Sequence, residues 1–84
     1  MQRYCFTFRS ITSAMQAQTL LKQAGIPAAL MRTPSELRTH GCGYCLSVGE
    51  KSYFASESIL MQGEKRYQKS YQRTEHGSWQ EVEA

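Results

Sequence analysis

Two of the chain's three cysteines and one of its two histidines fall in the stretch Thr39-His40-Gly41-Cys42-Gly43-Tyr44-Cys45. A cysteine thiolate is the strongest nucleophile and the softest metal ligand a protein carries. The glycines on either side of Cys42 remove side chains that would shield it. Three chemistries fit residues of this kind. A thiol–disulfide redox module using Cys42 and Cys45 needs its first cysteine at a helix N-terminus, where the dipole lowers the thiol pKa. Leu46-Ser47-Val48-Gly49 reads as strand instead, and in an extended chain residues three apart point to opposite faces. A structural zinc site takes four ligands. Here one Cys-x-x-Cys has only His40, Cys5 and the distant His76 to complete it, so no metal is expected. The third chemistry uses one thiol: Cys42 is exposed on a loop, with Arg38 and His40 holding a thiolate or persulfide anion by charge. Against all three stands a reading without chemistry, in which Cys42 is a small turn residue and Cys45 a buried apolar filler.

The elements that would position these groups can be read from periodicity. Arg3-Tyr4-Cys5-Phe6-Thr7-Phe8 alternates, with Tyr4, Phe6 and Phe8 on one side, and predicts a first strand. Ser10 stands as an N-cap. From Ile11 to Ala24 the residues Ala14, Ala17, Leu20, Leu21 and Ala24 share one helical face. Gly25 then suits a left-handed cap, and Pro27 ends the helix. Ala28–Arg32 predicts a second strand, Ser35–Gly41 a polar connection, and Tyr44–Val48 a third strand ended by Gly49. Ser52–Arg73 predicts a second helix carrying Tyr53, Leu60, Tyr67 and Tyr71 on one face, kinked or split at Gly63. Trp79–Val82 predicts a closing edge strand. The order β-α-β-β-α-β implies an α+β, ferredoxin-like sandwich: a small antiparallel sheet with helices on one face.

Composition narrows the function classes. An 84-residue chain with 40% hydrophobic and 20% charged residues reads as one soluble globular domain, residues 1–84. No apolar run reaches the length of a membrane span, so no membrane association is expected. The N-terminal residues lack a signal-peptide pattern, and an odd number of cysteines does not suit a disulfide framework; both predict the cytoplasm. With no aspartate in the sequence there is no Ser-His-Asp arrangement, and no phosphate-cradling glycine motif or other cofactor signature is present. The expectation is a partner-dependent protein, not a self-contained enzyme, with no cofactor.

Beyond these readings, the chain resembles the Se/S carrier protein-like family. Phe6-Thr7-Phe8 with Ser10 heading an alanine-rich helix, Leu21-Lys22-Gln23-Ala24-Gly25-Ile26-Pro27, and Pro34, Glu36 and Leu37 leading to Cys42-Gly43 carry the resemblance, which spans Tyr4 to Val48. It implies that Cys42 is the thiol that carries sulfur or selenium, with Gly43, Arg38 and His40 around it. It also implies a cysteine desulfurase or selenocysteine lyase-like donor, and a sulfur or selenium acceptor enzyme. Cys45 is an addition to the single-cysteine pattern and could serve as a resolving thiol. Ser35 stands where a basic residue often follows the proline, and the region after Gly49 is longer and more polar than the family pattern. A rival of another class is a nucleic-acid-binding module built on Lys65 to Arg73. There Tyr67 and Tyr71 would stack on bases while Lys65, Arg66, Lys69 and Arg73 engage phosphates. No RNP-like aromatic pattern accompanies them, so nucleic acid is not the expected partner.

Overall fold

The alternation around Phe6 sets the architecture. The computed structural model describes residues 3–37, 43–63, 67–74 and 77–82. Strand β1, Arg3–Thr7, lies at the centre of a five-stranded antiparallel sheet. It pairs on one side with β3, Tyr44–Gly49, and on the other with β4, Lys69–Arg73. β2, Ala29–Arg32, forms one edge beside β3, and β5, Trp79–Glu81, forms the other beside β4. The spatial order β2-β3-β1-β4-β5 is the ferredoxin-like arrangement with one strand added at an edge.

The register fixes which side chains share a face. Tyr4 opposes Val48, and Phe6 opposes both Leu46 and Ser70. These residues meet helix α1, Ile11–Gln23, through Ala14, Ala17 and Leu21, and helix α2, Tyr53–Gln62, through Tyr53 and Leu60. Both helices therefore lie on one face. α1 begins and ends as its capping residues predict. Ser10 accepts a hydrogen bond from the Ser13 backbone N–H at 3.1 Å. At the other end Gly25 has φ of +80°, its N–H donates to the Lys22 carbonyl, and the Ile26 N–H donates to the Leu21 carbonyl. This is a Schellman stop, which needs the left-handed conformation that glycine adopts without strain. Gly63, at the end of α2, has a different reason to be glycine. A Cβ there would stand 2.5 Å from Leu20 Cδ2, so its absence lets α2 close on α1.

The second half of the chain departs from the sequence expectation. The helix predicted over Ser52–Arg73 stops at Gln62, and Lys69–Arg73 is strand β4. The seven-residue spacing of Tyr53, Leu60 and Tyr67 imitates a continuous helical face, because Tyr67 reaches the same core from outside the helix. The strand is disguised by its polar content. Ser70 is its core-facing residue, made acceptable by a 2.8 Å hydrogen bond to the buried Tyr53 hydroxyl. The predicted connection also holds more order than expected: Ser35–Leu37 forms a 3-10 turn, with the Leu37 N–H donating to the Pro34 carbonyl.

Candidate functional site

The β2–β3 connection is built from both ends inward. The Thr33 N–H donates to the Gly43 carbonyl at 2.8 Å, extending the ladder one step past the Arg32–Tyr44 pair. Arg32 sits over the Tyr44 ring at 5.6 Å, a cation–π contact across the same rung. Leu37, from the 3-10 turn, packs on the sheet face that carries no helix. These contacts hold both ends of the connection at the sheet's β2–β3 end. A Cβ on Gly43 would meet no atom within 4 Å, so open space adjoins the residue that follows Cys42. Arg38, His40 and Cys42 themselves lie outside the described residues.

Cys45 is placed as its strand position demands. It points to the helix-free face, away from the side of Leu46 and Val48, and is wholly buried. Its neighbour on that face is Cys5, equally buried, one diagonal step across the ladder, since Cys5 opposes Ser47 and Thr7 opposes Cys45. The two thiols titrate against one another. Interaction with Cys45, and then burial, push the Cys5 thiol far above its ordinary range. Cys45 is drawn below its usual value, first by Cys5 and also by the Thr33 hydroxyl, with burial opposing. Cys45 is therefore the more acidic of the pair. Both cysteines are free thiols. Sequence reasoning weighed Cys5 only as a stray zinc ligand. Its partnership with Cys45 is set by strand pairing between residues forty apart, which no local pattern displays.

The tyrosine-rich stretch resolves into two separate places. Tyr71 opposes Cys5 on the helix-free face, whereas Tyr67 packs against Phe6 on the helical side, with ring centroids 4.7 Å apart. The two tyrosines of the nucleic-acid reading thus lie on opposite faces of the sheet, and the interleaved surface drawn from them is not assembled. Lys69 pairs with Glu81 at 3.2 Å, and Lys65, Arg66 and His76 lie outside the described residues.

Tyr67 belongs instead to a network that the sequence did not announce. Its hydroxyl donates to Glu57 Oε2 at 2.6 Å, and the Tyr53 hydroxyl reaches the same oxygen at 3.5 Å. Burial, and then the hydrogen bond to the Glu57 carboxylate, push the Tyr67 phenol up; burial likewise raises Tyr53. A phenol whose folded pKa exceeds its unfolded value stabilises the fold while both states are protonated. That contribution fades once the unfolded phenol ionises, near pH 10. Urea midpoints should accordingly fall as pH rises from 9 to 11, and a Tyr67→Phe chain should show a shallower fall. An equal slope in the two proteins would remove Tyr67 as the source.

Comparison with known proteins adds one positive finding. The family model described as Putative Se/S carrier protein-like matches residues 3–72, from the start of β1 into β4. The match runs past the Tyr4–Val48 stretch that carried the resemblance, and β5 lies beyond its last residue. No curated protein and no solved structure matches the chain.

Proposed function

We propose, since the chain belongs to the Putative Se/S carrier protein-like family, that it is a carrier and not an enzyme, and that it holds sulfur or selenium on Cys42. The observation that carries the assignment to Cys42 is the withdrawal of the other two thiols. Cys5 and Cys45 each have 0% exposure and pack in one cluster, so a macromolecular donor cannot reach either without opening the sheet. Cys42 immediately precedes the anchored, unobstructed Gly43.

The chemistry is thiol exchange. The Cys42 thiolate attacks the outer sulfur of a persulfide on a donor of the cysteine desulfurase or selenocysteine lyase kind. The S–S bond of the donor breaks, its cysteine leaves as thiolate, and Cys42 becomes Cys-S-SH, or Cys-S-SeH when selenium is the cargo. An acceptor enzyme's nucleophile then takes the outer atom and returns Cys42 to thiolate. Arg38 and His40 hold the anion by charge. Cys45 acts as a resolving thiol only if the start of β3 opens, because its side chain is wholly buried. Free thiols of this kind suit a reducing cytoplasm.

Incubation with a cysteine desulfurase and cysteine, followed by intact and peptide mass spectrometry, tests the assignment. Cys42 should gain about 32 Da, the mass of one sulfur atom. A Cys42→Ser chain should gain nothing, and a Cys45→Ser chain should still be labelled. Equal labelling of Cys42→Ser would overturn it.

A further inference from the structure

A second concentration of sulfur lies on the helix-free face of the sheet. Cys45 on β3 is directly opposed by Met31 on β2, and Cys5 on β1 stands diagonally beside it. The three residues come from three adjacent strands and pack in one cluster with Tyr71, Leu37 and Trp79. We propose that Cys5, Cys45 and Met31 form a binding site for a soft monovalent cation, Cu(I), held by two thiolates and one thioether.

The donor set decides the class of ion. Thiolate and thioether sulfur select Cu(I), whereas imidazole and carboxylate suit harder or higher-coordinate metals. Among the described residues no group of three His, Cys, Asp or Glu side chains could hold a metal ion. Structural zinc takes four ligands, whereas Cys5, Cys45 and Met31 offer three sulfurs in one cluster. Register and packing bring the three sulfur-bearing side chains together: Cys45 is directly opposed by Met31, Cys5 stands one diagonal step away, and all three share one packed cluster.

Binding breaks two S–H bonds and forms two metal–thiolate bonds, with two protons leaving to solvent and no change in oxidation state. Met31 is half-buried on the edge strand and provides the path inward, while Cys5 and Cys45 lie fully beneath the surface.

Anaerobic titration of the full chain with Cu(I), in competition with a chromogenic Cu(I) chelator, tests the site. Wild type and Cys42→Ser should each bind one ion with equal affinity and release two protons. Cys5→Ser and Cys45→Ser should lose about 100-fold or more, and Met31→Leu about tenfold. X-ray absorption at the copper edge should show three sulfur ligands in wild type and two in Met31→Leu. If a buried serine unfolds the chain by circular dichroism, Met31→Leu decides the matter, because it conserves volume. Undiminished affinity with an unchanged absorption spectrum in Met31→Leu would overturn the three-sulfur site. So would loss of binding in Cys42→Ser, or no binding by folded wild type.

Discussion

A Phe6→Ala chain is expected to lose about 3–5 kcal/mol of stability, the usual cost of removing a fully buried aromatic ring. Phe6 has 0% exposure on the central strand. Its ring stacks on Tyr53 at 5.4 Å with planes 3° apart and meets Tyr67 at 4.7 Å and 59°. One side chain thus ties β1 to the start of α2 and to the segment that leads into β4. Neither side of the hole can collapse easily, because Tyr53 is held by Ser70 and Tyr67 by Glu57. A chain of 84 residues has roughly 4–13 kcal/mol of total stability at ordinary values per residue, so the loss removes much of it. Urea denaturation followed by circular dichroism should show the midpoint falling steeply or the transition vanishing. Phe54→Ala is the matched control. Phe54 is 77% exposed and should change stability by no more than about 0.5 kcal/mol. Comparable losses in the two variants would mean that Phe6 is not at the centre of the core.

The second large effect is a gap in thiol reactivity. In the native chain at pH 8, iodoacetamide should modify Cys42 at the rate of an accessible cysteine, while Cys5 and Cys45 wait for the sheet to open. Opening that costs about 4 kcal/mol or more slows a buried thiol by about a thousandfold. The mass spectrum should pass through a long-lived single adduct, and three adducts should appear together only in denaturant. Cys5, whose thiol is pushed up by Cys45 and by burial, holds its proton more tightly than in the unfolded chain, which widens the gap for it. Early modification of Cys45 alongside Cys42 would show that the start of β3 opens locally. That result would make Cys45 available as a resolving thiol and would remove the burial argument for Cys42 alone.

The first half of the fold was legible because each local signal agreed with its neighbours. The Ser10 cap, the alanine stripe of α1, the Gly25 stop and the Tyr4-Phe6 alternation all describe short-range geometry, and each reappears in the structure. The second half misled because its signals are long-range. Ser70 looks like a solvent residue until Tyr53, seventeen positions away, supplies its hydrogen bond. Lys69–Arg73 looks like helix until β1 offers an edge to pair with.

Sequence alone determined that Cys45 lies on a strand running from Tyr44 to Val48. Strand alternation sends Cys45 to the helix-free face, and that is written in the order of Tyr44, Cys45 and Leu46. Only the tertiary structure decided what Cys45 meets there. Antiparallel pairing of β3 with β1 and β2 brings Cys5 and Met31 beside it, residues that no spacing rule connects. A side chain's face follows from the local backbone period, but its neighbours follow from register, and register is settled by the whole buried core.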